Sequence, residues 1–374
     1  MYNDEQTLIR DTARAFAQDI LAPGAAARDR AKTVDPSVFS DMAELGFLGM
    51  TVPEEWDGVG ADYVSYALAL MEIAAADGAI STIMSVHNAP FNAILTRFGS
   101  DFQKEQVLRP AAKGEFIGAF ALTEANAGSD AAAIRTRAEK RGNRYVINGG
   151  KEFITSGRIG GWCILFATLD GTRKGITAFL TPTSVPGYEA AKVEEKLGQR
   201  CSDTCSLRFT DLEIPEEYRI GEEGQGYRIA LSSLEAGRIG IASQSVGMAQ
   251  AAFDAAVAYA RERTSMGKRL IEHQAVAFRL AELRTKLEAA RQLVLLAARM
   301  KDAGLPCLNE AAMAKLFASE TAEVVVSGAL QTFGGYGYMQ DFALERIYRD
   351  VRVCQIYEGT SDIQKIIISR QLDQ

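Results

Sequence analysis

The chain has 374 residues, 47% hydrophobic and 24% charged, with a formal net charge of −7. That length exceeds what one small core supports, so two or three packed units of an ordinary soluble globular protein are expected. The acidic balance argues against general nucleic-acid binding, no apolar run is long enough to span a bilayer, and two histidines make a His-based metal centre a poor expectation. Local arginine clusters can still bind phosphates in an acidic chain. The polar start MYNDEQ lacks the basic-then-apolar layout of a secretory leader, and five scattered cysteines include no CxxC pair. Both features point to reduced thiols and a cytoplasmic location.

In chain order, the first section reads helical. Apolar residues recur at helical spacing over 4–20, 36–45, 63–76 and 87–98, broken by Gly and Pro turns such as 53–60. From Phe116 to about Pro215 the pattern changes to short alternating or β-branched runs such as FIGAFALT, KEFITS and GITAFLT. Turn pairs separate them, which predicts a middle antiparallel β domain. Helical periodicity returns over 227–263, 273–303 and 308–333, long enough for a helical bundle. The predicted fold is a multidomain α+β chain: an N-terminal helical domain (1–115), a β domain (116–226) and a C-terminal helical bundle (227–374).

Neither a GxGxxG nor a GxxxxGK[ST] loop is present, so a Rossmann or P-loop nucleotide site is not indicated, and GxSxG is absent as well. Four stretches carry other possibilities. FALTEANAGSD (120–130) runs a strand into a loop of small and hydroxyl residues, suited to a flat polar ligand or simply to a solvated turn. KEFITSG (151–157) places Phe153 and Thr155 on one strand face, where Phe153 is by default a core aromatic. Arg263 and Ser265, in RTSMGK (263–268), sit on a basic loop that is either solvated surface or a phosphate holder, with Gln274 close behind. QTFGGYGY (331–338) ends a helix in glycines, which also permit close backbone approach to a cofactor. Finally, in QIYEGTSDIQ (355–364) a lone carboxylate, Glu358, sits on a Gly-softened bend, and residues 360–362 offer caps for a last helix over 363–372.

Taken together and in this order, the stretches resemble the acyl-CoA dehydrogenase family over nearly the whole chain, most closely its short-chain, butyryl-CoA-type branch. LTEANAGSD (122–130) is similar to the family's first signature, and 331–362 to its second. LGQRCSDT (197–204) and GRIGIA (237–242) also match.

The resemblance implies an FAD-dependent oxidoreductase of fatty-acid metabolism that removes the α-proton of an acyl-CoA with Glu358 while the β-hydrogen leaves as hydride to the flavin. It places Phe120, Leu122, Thr123 and Ser129 at flavin and substrate, and Phe153, Ile154 and Thr155 on the flavin's other side. Arg263, Ser265 and Gln274 would hold the pyrophosphate or adenosine end, with Gln331, Gly334 and Gly335 contributed by a neighbouring subunit and Thr360 and Asp362 closing the adenine side. Glu235 and Arg238 match the region facing substrate, beside Tyr357 and Gly359, although Arg238 is equally a helix ion-pair partner for Glu235. The family also implies a homotetramer, arranged as a dimer of dimers, and an electron-transfer flavoprotein as electron acceptor. An oxygen-using oxidase, a non-catalytic flavoprotein or assembly factor, and a carrier-protein thioester substrate are the alternatives.

Three departures stand out. Ala125 replaces the usual proline of the first signature, and Met266 occupies a position often held by Phe. Gly237 stands where the isovaleryl and long-chain branches carry their alternative base, which strengthens Glu358. The absence of arginine between Ala74 and Thr96 favours a monocarboxylic acyl chain over a glutaryl-type one.

Overall fold

A computed structural model describes residues 2–372. The first section forms α1 (Asp4–Phe16), α2 (Ala22–Ala31), α3 (Pro36–Glu44), α4 (Tyr63–Ala76), α5 (Gly78–Val86), α6 (Ala93–Phe98) and two short helices, α7 (Asp101–Gln103) and α8 (Arg109–Ala112). Acidic side chains start several of them: Asp62 caps α4 through Ser65 N, and Asp77 caps α5 through Ala79 N and Ile80 N. The first helical run does not stop at Ile20. A wide π turn over Ala17–Leu21 carries it into α2. Pro23 then falls in the first turn of α2, where a missing N–H costs little. Conversely, the helix expected over 87–98 is interrupted, because Pro90 forces Ala89 to an extended conformation (φ −145°, ψ 96°). His87 is buried there as a neutral strut: Nε2 meets Ala111 O at 3.0 Å and Nδ1 accepts from Gly118 N at 2.9 Å. Burial pushes its pKa down to about 4.

The middle section forms β1 (Gly118–Ala121), β2 (Arg137–Arg141), β3 (Arg144–Thr155), β4 (Trp162–Thr168), β5 (Ile176–Pro182), β6 (Tyr188–Val193), β7 (Thr204–Pro215) and β8 (Arg219–Ile220). They make one sheet in the order β6-β7-β3-β2-β4-β5-β8, with β1 beside β4. Most neighbours are antiparallel, as expected, but β1 runs parallel to β4 and β2 meets β4 in parallel through Arg137 and Thr168. The reason is local. β1 enters from the helices and leaves through the loop 122–136 instead of a hairpin, so no tight turn imposes an antiparallel direction.

The last section contains α9 (Gly226–Glu262), a small hairpin of β9 (Thr264–Ser265) and β10 (Lys268–Arg269), then α10 (Gln274–Asp302), α11 (Leu308–Phe333), α12 (Leu344–Val351) and α13 (Ser361–Ser369). One hydrophobic core joins α4 to α9, α10 and α11, through residues such as Leu68, Met71, Val246, Leu283 and Val325. The helical sections at the two ends of the chain are therefore packed as one layer against the sheet. Glycines on α9 permit the approach: a Cβ on Gly247 would lie 2.1 Å from Met71 O, and one on Gly240 2.5 Å from Ser85 Oγ. No described helix is long and apolar enough to cross a membrane.

Gly247→Ala is expected to lower stability by about 2 kcal/mol or more, because the obstacle is backbone rather than a movable side chain. Gly335→Ala, with nothing within 4 Å, is expected to stay within ~0.5 kcal/mol. Denaturant unfolding of both variants checks this.

Candidate active site

After α12 the chain tightens into a 3-10 turn over Arg352–Gln355 and reaches Glu358. Glu358 (φ +53°) and Gly359 (φ +86°) are both left-handed, so the bend turns back on itself before Thr360 caps α13 by accepting from Ile363 N. Gln364 Nε2 donates to Glu358 O at 3.1 Å and to Gly359 O at 2.8 Å. Lys315 Nζ, from α11, donates to Gly359 O at 2.7 Å.

This bend projects the Glu358 carboxylate against α9 at Gly237, where a Cβ would lie 2.8 Å from Oε2. Glycine there leaves room for the carboxylate where it stands. Among the described residues the carboxylate is in no ion pair, and Oε2 is buried without a hydrogen-bond partner. Two cations face it without touching it: Arg238, only 4% exposed with Nε and Nη1 unpartnered, and Lys315. Burial pushes the Glu358 pKa up to about 7, while Arg238 and then Lys315 pull the other way.

In front of Glu358 lies a cavity of about 510 Å³. It brings Glu358, Tyr357, Gly359 and Arg238 together with Phe120, Leu122, Thr123 and Ser129 of the first loop and with Phe153, Ile154 and Thr155 of β3. Apolar side chains from α9 and α13, including Leu234, Ile241 and Ile363, complete the wall. Phe153 is not a core aromatic: it is 66% exposed, has φ +60°, and sits where the β3–β7 register slips between Lys151 and Ile154. The bulge turns its ring out of the sheet and towards the cavity.

The facing loop is held from below by a pair the sequence reading did not pick out. Fully buried Lys151 meets Glu124 Oε1 at 2.7 Å and Leu122 O at 3.0 Å. Glu124 also accepts from Arg135 N at 2.6 Å and Thr136 N at 3.0 Å, closing both ends of the loop. Burial opposes charge on both partners. Lys151 is pushed down to about 8, whereas Lys151 and the loop N–H groups hold Glu124 below its usual range.

Other candidates stand elsewhere. Glu235 pairs with Lys301 at 2.7 Å, so it is not the ion-pair partner of Arg238, and it does not line the cavity. The Tyr357 ring lines the cavity, but its hydroxyl turns away into a buried network with Gln244, Thr82 and Gln199. Arg263, Ser265 and Gln274 are exposed around the small hairpin, and Gln331, Gly334 and Gly335 are exposed or nearly so at the end of α11. These two surface groups meet each other, with the Arg263 guanidinium 5.8 Å from the Tyr336 ring centre, but within one chain they do not reach the cavity. The Thr360 hydroxyl serves as a cap and the Asp362 side chain is exposed.

The sequence reading missed Lys315 and Gln364. Lys315 offered a signal, being a charge on the buried stripe of Ala311, Ala318 and Ala322. The five cysteines are all free and buried.

A carboxyl whose pKa rises from 4.5 to about 7 on folding contributes stability below pH 4.5 that is lost as pH rises through 7. Glu358→Gln abolishes this dependence. The variant is expected to gain stability over the parent progressively between those two pH values and to hold the gain above them, as read from denaturant midpoints across pH.

Comparisons with known proteins agree with this architecture. Residues 3–115 match the acyl-CoA dehydrogenase N-terminal domain, 119–212 the middle domain and 224–372 the C-terminal domain. The chain is 45% identical over 367 residues to the short-chain specific mitochondrial acyl-CoA dehydrogenase of Mus musculus, covering 98% of this chain and 89% of that protein. The structure of butyryl-CoA dehydrogenase from Megasphaera elsdenii matches with a TM-score of 0.98 at 38% identity, over 100% of this chain and 99% of that one. A chain from structural work on the electron transferring flavoprotein of Acidaminococcus fermentans matches with a TM-score of 0.98 at 41% identity, over 100% and 98% of the two chains. With all three domain matches in order across its length, the chain belongs to the acyl-CoA dehydrogenase family.

Proposed function

We propose that the chain is an FAD-dependent dehydrogenase converting a short-chain or branched acyl-CoA thioester to the 2-enoyl-CoA, with Glu358 as the base. The observation that carries this reading is one unpaired carboxylate, raised to about 7, facing an apolar cavity across from a wall of exposed Phe153 and threonine hydroxyls. A base for a weakly acidic C–H needs that combination: a pKa near the working pH and no ion pair to weaken it.

The opposite wall suits a flat ring system of mixed polarity. Phe153 offers an uncovered aromatic face on a bulge that turns it outwards, and Thr123 and Thr155 line the same space. FAD, when bound, supplies the acceptor for the β-hydrogen. Phe120, Leu122, Ser129 and Ile154 would complete that wall. Glu358 takes the α-proton onto its carboxylate. Its own backbone N–H is the protein donor we assign to the thioester oxygen, acidifying the α-carbon as the enolate develops. Arg238 and Lys315 keep the carboxylate ionised often enough to act. Leu234 and Ile241 suit a hydrocarbon acyl chain and help exclude water.

Because Arg263, Ser265 and Gln274 lie outside the cavity, we assign them, with Gln331, Gly334 and Gly335, to the adenosine end of FAD across a subunit boundary. A tetramer built as a dimer of dimers provides that boundary. Thr360, Asp362 and Gly359 flank the same end of the bend. The family signatures and the electron transferring flavoprotein of the matching Acidaminococcus work support a flavoprotein acceptor for the electrons. The change from helix to sheet and back supports domain limits near 115 and 226.

Anaerobic titration with saturated acyl-CoAs of graded length and branching, followed by flavin absorbance, tests the reading. Short or branched members should bleach the flavin, and Glu358→Gln should retain FAD while losing at least about 100-fold in rate. Bleaching by none of them, or a fully active Glu358→Gln, sinks it. Arg263→Ala is expected to weaken FAD retention about tenfold or more, measured as cofactor remaining after dialysis; undiminished retention returns Arg263 to ordinary surface charge.

A further inference from the structure

Lys315 is fully buried on α11, on a stripe made mostly of alanines, with Ser319 one turn on. An ammonium there is costly unless it is answered by a polar partner. Its partner is the carbonyl of Gly359, the residue directly after Glu358, at 2.7 Å. That same carbonyl accepts from Gln364 at 2.8 Å, so two side chains from different helices grip one atom of the left-handed bend.

We propose that Lys315 is a positioning residue for Glu358: its ammonium pins the Gly359 carbonyl, which fixes the bend, and presents positive charge to the carboxylate from behind. This rests on the reading of Glu358 as the base.

The groups around the pair are few. Arg238 faces Glu358 from α9, Tyr66 from α4, Cys354 lies on the preceding turn, and Glu320 approaches Lys315 from α11 itself. Arg238 is thus the other cation facing the carboxylate among the described residues, and it approaches from a different helix. Arg238 stands on the cavity side, where substrate alters its surroundings. Lys315 does not line the cavity, so its contribution is constant through turnover. Burial draws the Lys315 pKa down to about 8, so its charge is present at neutral pH and fades in alkali.

The test compares kcat/KM of the FAD-loaded parent and Lys315→Met from near pH 6 to near pH 9, using the acyl-CoA that reduces the parent fastest. Losing the charge makes Glu358 harder to ionise, so we expect about a tenfold loss near pH 6 that shrinks to about twofold near pH 9. Lys315→Arg should keep the parent's pH profile. A loss uniform in pH, or none, overturns the proposal. Where Lys315→Met does not fold, Lys315→Gln, which keeps a donor for the Gly359 carbonyl, carries the same expectation.

A second readout needs no turnover. The infrared carboxyl band that Glu358→Gln removes should titrate at higher pH in Lys315→Met than in the parent, and an unmoved midpoint also overturns the proposal. If instead Glu358→Gln stays active, the reading of the base fails while the infrared midpoint still decides what Lys315 does.

Discussion

The site depends on keeping one carboxylate out of water without giving it an ion-pair partner. Salt-bridged, Glu358 would be held as a weak base; left in water, it would stay near 4.5. The structure meets both conditions by backbone geometry. Glycine at 237 removes the side chain that would occupy the carboxylate's space, and two left-handed residues aim the side chain into it. Arg238 and Lys315 then act at a distance, close enough to restrain the pKa and too far to form a contact. Gly237, Gly359, Arg238 and Lys315 thus set the surroundings of the Glu358 carboxylate.

That arrangement is anchored in all three sections of the chain. Gln244, about two turns beyond Gly237 along α9, donates to Gly78 O, Ser81 and Thr82 of α5 and accepts from the Tyr357 hydroxyl. Gln199, from the loop after β6, accepts from Thr82 at 2.5 Å and donates to Asp350 O at 3.2 Å. Gly198 lets this loop press on α12, since a Cβ there would lie 2.3 Å from Arg349 O. Tyr357, the residue preceding Glu358, is therefore tied to the first helices, the loop after β6 and the last helices at once. Such a fully satisfied buried network favours one arrangement of the core. Asp350, buried beside it with its pKa pushed up to about 7, stays in that network because Gln199 N donates to it.

The facing wall is held in a different way. The loop 122–136 has little regular structure, yet the Lys151–Glu124 pair under it closes both ends. A fixed loop on one side and a fixed bend on the other leave a cavity whose width is set by rigid parts. Ala125 lies next to the pinning residue Glu124, and the N–H and carbonyl groups of Glu124 and Ala127 also bond each other across it.

By itself, the sequence determined the order helix, sheet, helix, because hydrophobic periodicity reports which face of an element is buried. α4 and α11 match the periodic segments end to end, and the motif 355–364 already singled out Glu358 and its capped helix. Local rules stopped short where the answer lay in another element. The helical run expected over 4–20 continues past Pro23, and the one expected over 87–98 breaks at Ala89 before Pro90, outcomes that the packed backbone decides. Phe153 read as core because alternation cannot anticipate a register slip against β7. Glu235 and Arg238 sat at ion-pair spacing, but Lys301, 66 residues away, takes the carboxylate. What only the tertiary structure decided is the electrostatic state of Glu358, since burial and the charges of Arg238 and Lys315 come from chain segments that meet only when the fold closes.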